Sequence, residues 1–177
     1  MISLYNPHIS QNTLKNVSNC IKQNWISSKG FYVKKFEKLF SKFTKIKYSV
    51  SVSNGTCAMH IALLSLGIKK NDEVIVPSFT YVATVNPIKY VGAKAVFVDS
   101  DLETLQIDTK KIEKKINNRT KAIICPHLYG NITNIDELVK LKKKYNLFLI
   151  EDCAESFGSY YKKKHSGNFG EVATFSF

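Results

Sequence analysis

A short apolar run that ends in carboxylates, Phe148 to Ser156, constrains the fold of this chain most strongly. The run has no helical period, which predicts a strand buried on both faces, as in a parallel sheet. Chemistry in open α/β sheets lies beyond the carboxyl ends of the strands, where Asp152 stands. A buried carboxylate there needs a cationic partner to stay ionised. A functional edge is one interpretation, and a helix cap or an ordinary ion pair is the more frequent explanation of such a residue.

Short apolar runs alternate with amphipathic stretches from Tyr48 onward. This alternation predicts an α/β domain with a mostly parallel sheet and flanking helices, residues 48–177. Two amphipathic helices precede it, and we expect them to form an N-terminal segment, residues 1–47, that packs on the domain. Strands are predicted at 48–53, 73–76, 95–99, 122–126, 148–152 and 173–177, a hairpin at 159–165, and a capping box at Asn134 and Glu137.

The net charge of +12 makes nucleic-acid binding the first function class to consider. The basic residues are almost all lysine, and Arg119 is the only arginine, whereas base recognition and phosphate clamps favour arginine. The lysine clusters fall on the polar faces of predicted helices, where solvation explains them. We therefore expect no specific nucleic-acid partner, with non-specific attraction to polyanions as the minor alternative.

The four cysteines are far apart and form no C-x-x-C pair. This spacing indicates neither a zinc site nor a disulfide framework, and it favours a reducing compartment. No run approaches the roughly 18 apolar residues of a membrane span, and residues 1–7 lack the apolar core of a signal peptide. We expect a cytoplasmic protein without a metal site or a membrane anchor.

A predicted strand, a glycine turn and an apolar helix follow one another around Ser53-Asn54-Gly55-Thr56. A helix N-terminus offers unpaired N–H groups to an anion, and a glycine lets the backbone approach it closely. The turn is neither a Walker A sequence nor a dinucleotide fingerprint. From the residues alone, an N-cap by Ser53 or Thr56 is therefore an equal alternative to a phosphate site.

Several segments in a fixed order resemble the DegT/StrS family of sugar aminotransferases, which are pyridoxal phosphate enzymes of fold type I. The resemblance covers essentially the whole chain, but only the first half of such an enzyme, so the large domain is expected to be truncated. It is greatest to the perosamine synthases, which aminate C4 of a GDP-linked 4-keto-6-deoxy sugar. The segments are S-N-G-T at 53–56, V-P-S-F-T-Y-V-A-T at 76–84, H-L-Y-G at 127–130, I-E-D-C-A-E-S at 150–156 and G-E-V-A-T-F-S-F at 170–177.

The resemblance implies a role in binding pyridoxal 5'-phosphate for several residues. Asp152 would accept a hydrogen bond from the protonated pyridine nitrogen, which keeps the ring an electron sink. Tyr81 would stack on the ring, although core packing is the usual role of such a tyrosine on the residues alone. The phosphate would be held by Gly55, Thr56 and Ser176.

Two further residues match family positions near the reacting groups. Glu155 is implied as a catalytic residue and a cofactor contact, at a position where many relatives carry glutamine or histidine. His127 is implied as a catalytic candidate, and a purely structural role remains the slightly favoured alternative for it.

The lysine that forms the Schiff base in this family follows the phosphate-binding serine by about five residues. This chain ends at Phe177, directly after Ser176, and none of its lysines matches that position. The resemblance thus implies an enzyme that transfers an amino group from glutamate to a nucleotide-linked 4-keto-6-deoxy sugar, for surface polysaccharides. It also implies a homodimer, and the chain alone is expected to be inactive.

Two alternatives to an aminotransferase stay open. A histidine in place of the missing lysine would make the enzyme a sugar dehydratase, and only the absent segment decides between them. Alternatively, the basic chain is an inactive remnant that binds polyanions or partner subunits. For the isolated chain we expect poor solubility, because a sheet edge and apolar surface would be uncovered.

Overall fold

The computed structural model describes residues 7–177, so most of the N-terminal stretch on which a signal peptide was argued against lies outside the described residues. Short 3-10 helices lie at Glu113–Lys115 and Leu128–Gly130. None of the helices within the described part of the chain has the length and apolar character needed to cross a membrane. The other elements are α1 (Gln11–Lys22), α2 (Phe31–Thr44), α3 (Gly55–Ser65), β1 (Glu73–Pro77), α4 (Val82–Tyr90), β2 (Lys94–Val98), α5 (Thr109–Ile112), β3 (Thr120–Pro126), α6 (Ile135–Tyr145), β4 (Phe148–Asp152), β5 (Tyr160–Tyr161), β6 (Lys164–His165) and β7 (Val172–Thr174).

The central sheet is parallel, with the strand order β2-β1-β3-β4-β7. Its inner strands β1, β3 and β4 are apolar and almost wholly buried, because α3 and α4 cover one face while α5 and α6 cover the other. The predicted α/β fold with a mostly parallel sheet is confirmed. The apolar run at 95–99 predicts a second buried strand, and this prediction is wrong: within residues 7–177, β2 has one neighbour, and its Phe97 is 49% exposed.

The segment 48–53 is not a strand, although its alternating sequence predicts one. A strand needs a neighbour that pairs with its backbone N–H and C=O groups, and none of the described strands lies beside this segment. A cavity of ≈ 870 Å³ separates it from the edge of β7 that carries no partner strand in residues 7–177. Tyr48 and Val50 are accordingly 75% and 81% exposed.

Helix α2 packs on the sheet domain through aromatic rings. The ring of Phe40 lies 4.9 Å from that of Phe175, and the ring of Phe43 lies 5.0 Å from that of Phe157, measured between centroids. Helix α1, in contrast, buries none of its side chains. The boundary predicted between 1–47 and 48–177 stays a prediction. The aromatic cluster comprises Phe36, Phe40, Phe43, Phe157, Phe175 and Phe177.

Replacing Phe40 by alanine is expected to lower the free energy of unfolding by about 2–3 kcal/mol, because a half-buried ring loses its contacts with Phe157 and Phe175. Urea unfolding followed by circular dichroism measures this change. Leu39→Ala is the matched control on the same helix, since Leu39 is 55% exposed, and it should cost less than about 0.5 kcal/mol. Equal losses in both variants would contradict the packing role of Phe40.

Three local predictions concern the hairpin, the lysine clusters and the start of α6. The hairpin of β5 and β6 is confirmed, and the lysine clusters of α5 and α6 are largely exposed, as predicted. The capping box is wrong, because Asn134 makes no side-chain cap and Glu137 instead accepts a hydrogen bond from Thr109. The N-terminus of α5 lies close enough for Thr109 to bind the Glu137 carboxylate, which the predicted capping box would need.

Candidate functional site

Asp152 ends β4 at the carboxyl edge of the sheet, where the sequence predicts it. Its Oδ2 accepts a hydrogen bond of 2.7 Å from Thr84 Oγ1, and its Oδ1 accepts one of 3.2 Å from the backbone N–H of Ala154. Burial raises the pKa of Asp152, and these hydrogen bonds only partly oppose the rise. None of the ion pairs within residues 7–177 includes Asp152. The carboxylate is therefore oriented for a cation that the described chain does not supply.

Thr84, on α4, fixes the orientation of this carboxylate. Its side chain is buried, and its hydroxyl accepts a hydrogen bond of 3.0 Å from Thr80 while donating to Asp152. The two threonines thus form a directed chain that ends on the carboxylate. Sequence analysis assigned Thr84 no role, because nothing in the sequence links it to a residue so far along the chain.

Thr84→Val is expected to raise the pKa of Asp152 further, because the ionised carboxylate loses a donated hydrogen bond. An NMR titration of the Asp152 carboxyl carbon measures the change. Thr80→Val is the matched control, since it leaves the bond between Thr84 and Asp152 in place and should shift the titration less. An Asp152 titration in Thr84→Val like that of the unmodified chain would show that this hydrogen bond does not act on the ionised form.

Three other predicted site residues meet beside Asp152. Tyr81 occupies the N-cap position of α4, and its side chain is 71% exposed. Together with Glu155 and His127 it borders a narrow cavity of ≈ 20 Å³ next to the carboxylate. The structure thus places four of the predicted residues around one small space.

Glu155 makes a contact that the sequence did not indicate. Its Oε2 accepts a hydrogen bond of 2.7 Å from the backbone N–H of Tyr129. Tyr129 has φ 55° and Gly130 has φ 77°, so the carboxylate stabilises a left-handed turn that a tyrosine rarely adopts. The predicted roles of Glu155 in catalysis and cofactor contact stay predictions.

His127 is buried, and protein groups engage both of its ring nitrogens. Nδ1 accepts a hydrogen bond of 3.4 Å from the backbone N–H of Thr133, which assigns the ring proton to Nε2. Nε2 lies 3.1 Å from Glu151 Oε2 and donates to it. This geometry favours the structural alternative that the sequence left open, while a catalytic role for His127 remains untested.

Glu151, which sequence analysis passed over, is the most completely bonded carboxylate of the region. It is fully buried and accepts hydrogen bonds from His127 and from the backbone N–H groups of Gly167, Phe169 and Gly170, at 2.7–3.1 Å. Burial alone would raise the pKa of Glu151, but the bonds from His127 and the backbone outweigh it and lower that pKa.

Cys153 lies next to this pair, and the candidate ligand atoms of His127, Glu151 and Cys153 lie within 4.8 Å of one another. The carboxylate and the imidazole already hold protein hydrogen bonds, and burial raises the pKa of the Cys153 thiol well above its ordinary value. A thiolate is the form that binds metals, so this arrangement does not favour a metal site.

The turn before α3 is capped by Asn54. Its Oδ1 accepts a hydrogen bond of 2.9 Å from the backbone N–H of Cys57. The proposed caps Ser53 and Thr56 are therefore wrong: asparagine is at least as good an N-cap, and it stands directly before the helix.

Gly55, the first residue of α3, lies against Ser176. A Cβ on this glycine would lie 3.1 Å from Cβ and 3.3 Å from Oγ of the serine, tighter than most side-chain contacts. The register of β4 and β7 pairs Asp152 with Thr174, so Ser176 lies beyond the same edge of the sheet as the carboxylate. Thr56 follows in the first turn of the helix. An anion beside Ser176 would meet the N-terminal N–H groups of α3.

Comparison with known proteins decides the family. A sequence model of the DegT/DnrJ/EryC1/StrS aminotransferase family matches residues 7–177. This chain belongs to that family. The resemblance drawn from the sequence motifs is thereby confirmed.

Relatives in the DegT/DnrJ/EryC1/StrS family are about twice as long as this chain. It is 53% identical over 176 residues to the GDP-perosamine synthase of Escherichia coli O157:H7, covering 99% of this chain and 48% of that protein. The structure of the aminotransferase from Psychrobacter cryohalolentis matches with a TM-score of 0.93 and 34% identity, over 97% of this chain and 44% of that one. The E. coli GDP-4-keto-6-deoxy-D-mannose-3-dehydratase with bound hydrated PLP matches with a TM-score of 0.90 and 32% identity, over 97% and 46%.

Pyridoxal phosphate is the cofactor that the family and its solved structures indicate. The residues of this chain fit such a group at two points. Asp152 offers an oriented carboxylate without a cationic partner in the described chain, which suits a protonated ring nitrogen. Gly55 allows Ser176 to lie at the N-terminus of α3, which suits a phosphate.

Proposed function

We propose that this chain is the N-terminal part of a pyridoxal phosphate-dependent aminotransferase that passes the amino group of glutamate to a nucleotide-linked 4-keto-6-deoxy sugar. The observation that carries the proposal is the convergence of the Asp152 carboxylate and the pair of Gly55 and Ser176 at one edge of the sheet. The identity of 53% with a GDP-perosamine synthase supports this class of substrate.

In this role each residue has a defined task. When bound, the cofactor supplies an electron sink for carbanion chemistry. Asp152, held by Thr84, would keep the proton on the pyridine nitrogen, and Tyr81 would stack on the ring. Gly55, Thr56 and Ser176 would hold the phosphate.

Proton transfer on the substrate needs a further residue. None of the lysines in 1–177 matches the family's catalytic lysine, so that group has to come from outside this stretch. Glu155, beside Asp152, is proposed to contact the cofactor and to help orient the reacting groups.

A sugar dehydratase of the same family is the second candidate. The match to the E. coli GDP-4-keto-6-deoxy-D-mannose-3-dehydratase, with 32% identity over 97% of this chain, favours it as the alternative. The two candidates share the site described above and differ in the residue about five positions after Ser176.

The test begins with the polypeptide made from the native gene, by intact mass and peptide mapping past Phe177. We expect a lysine about five residues after Ser176. The purified protein, given glutamate and GDP-4-keto-6-deoxy-D-mannose, should produce an amino sugar detectable by mass spectrometry. A deoxygenated product would select the dehydratase. Salt-sensitive nucleic-acid binding without cofactor uptake would instead favour the inactive remnant.

The proposed setting rests on the resemblance to the family. We propose that the complete enzyme is a cytoplasmic homodimer that makes amino sugars for surface polysaccharides. The described helices include none that could span a bilayer, in keeping with this setting. Light scattering coupled to size-exclusion chromatography of the native polypeptide tests the dimer, and a monomer at micromolar concentration would contradict it.

A further inference from the structure

The two carboxylates at the end of β4 point to opposite faces of the sheet, because side chains alternate along a strand. Asp152 lies on the face covered by α4, where Thr84 binds it. Glu151 lies on the other face, where it contacts His127 and the loop of residues 167–170. Asp152 alone of the two carries a role in the proposed function.

The 167–170 loop leads from the β5–β6 hairpin into β7, and Glu151 binds it through three backbone N–H groups. Oε1 accepts from Phe169 and Gly170, both at 2.7 Å, while Oε2 accepts from Gly167 at 2.8 Å and from His127 at 3.1 Å. Each oxygen thus has two donors, which uses the accepting capacity of an ionised carboxylate far better than that of any neutral side chain.

The loop in turn sets the position of β7. Gly170 packs directly on β4, since a Cβ there would lie 2.3 Å from the carbonyl oxygen of Leu149. Glu171 continues the contact by donating its N–H to Leu149 O and accepting the N–H of Leu149 at its side chain. β7 then pairs with β4 and delivers Ser176 to Gly55.

We infer that Glu151 is a positioning residue whose carboxylate, through the 167–170 loop, sets the separation between Asp152 and Ser176, the two ends of the cofactor site. The inference rests on the proposed function, because only a ligand that spans both ends senses this separation. It adds a buried residue that touches neither the cofactor nor the substrate.

Replacing Glu151 by glutamine tests the inference, because glutamine has nearly the same shape but only one oxygen that accepts hydrogen bonds. A glutamine has one carbonyl oxygen, and its NH₂ group would face two of the four N–H donors. Unpaired donors facing each other in a buried site release the loop. A ligand that contacts both Asp152 and Ser176 should then bind more weakly, whereas a ligand that contacts only one of them should bind as before.

The experiment compares the native polypeptide, freed of bound cofactor, with its Glu151→Gln variant. Three probes are titrated by calorimetry or NMR: pyridoxamine 5'-phosphate, which binds without a Schiff base, pyridoxamine, which lacks the phosphate, and inorganic phosphate. We expect the affinity for pyridoxamine 5'-phosphate to fall about 10- to 100-fold, while the affinities for the two partial probes change less than about threefold.

Glu73→Gln is the matched control. Glu73 is also a buried carboxylate, bound by Asn117 and Arg119 at the amino edge of β1. Its replacement should lower stability without changing the ratio between the three affinities. Should Glu151→Gln not fold, His127→Phe removes the ring donor and leaves the three backbone donors, and we expect the same pattern with a loss of about two- to fivefold.

The outcomes separate the inference from the proposed function. Unchanged affinity for pyridoxamine 5'-phosphate in the variants overturns the inference alone, and so does an equal loss for all three probes. Lack of binding of this ligand by the unmodified chain overturns the proposed cofactor site, and the inference falls with it. Selective loss for the two-ended ligand supports both.

Discussion

Asp152→Asn is expected to weaken the binding of pyridoxamine 5'-phosphate about 100-fold or more. The carboxylate is partly buried, and removing one partner of a charge pair that the ligand buries completely costs about 3–5 kcal/mol, where each 1.4 kcal/mol is tenfold in affinity. Calorimetric titration of the native polypeptide and its Asp152→Asn variant, both freed of bound cofactor, measures the loss. Asp99→Asn is the matched control: Asp99 also follows a strand of the same sheet, but it is exposed and pairs with Lys111. A loss below about threefold for Asp152→Asn would remove Asp152 from its proposed role.

The pH dependence of binding follows from the same residue. Burial raises the pKa of Asp152 above its unfolded value, so the ionised form costs stability above the folded pKa, and the cost disappears below the unfolded one. A cation beside the carboxylate offsets that cost. Affinity for pyridoxamine 5'-phosphate should therefore rise as the pH increases through the folded pKa of Asp152. In Asp152→Asn this rise should be absent.

Gly170→Ala is expected to lower the free energy of unfolding by more than about 4 kcal/mol. The new Cβ would lie 2.3 Å from the carbonyl oxygen of Leu149, a backbone atom of an inner strand that cannot move aside. The 167–170 loop would have to leave β4 and give up its hydrogen bonds to Glu151. Chemical unfolding followed by circular dichroism measures the effect.

Gly158→Ala separates this clash from the cost of an unusual backbone. Gly158 has φ +89°, yet nothing lies within 4 Å of its added Cβ, so its replacement should cost only about 1–2 kcal/mol. If Gly170→Ala and Gly158→Ala unfolded at the same denaturant concentration, the steric argument would be contradicted.

The parallel sheet could be predicted because its inner strands are continuous apolar runs, a pattern that only burial on both faces explains. Asp152 could be predicted because it ends such a run. The strand predicted at 48–53 does not form. An alternating sequence shows that a segment favours the extended conformation, but it does not show whether another strand lies beside it to pair with it. The missed elements are therefore those that depend on a distant partner.

Glu151 shows the same limit at the level of the site. Three of its four hydrogen-bond donors are backbone N–H groups, which every residue except proline carries, so no side-chain pattern marks them. Thr84 is likewise an ordinary helical residue until the fold brings it to Asp152. Family motifs predict which residues contact the cofactor, and this stays a prediction. The groups that hold Asp152 and the 167–170 loop in place became visible only in three dimensions.

The aromatic cluster joins segments that are far apart in sequence: the rings of α2 contact those of Phe157, Phe175 and Phe177, more than 100 residues later. A ribosome releases the N-terminal part first, so the phenylalanines of α2 emerge long before the rings that cover them. The strands β1 to β4 have all been synthesised by residue 152 and can pair in the meantime. Until residue 177 has been synthesised, the nascent chain thus displays an uncovered aromatic helix, the kind of apolar surface that holding chaperones bind.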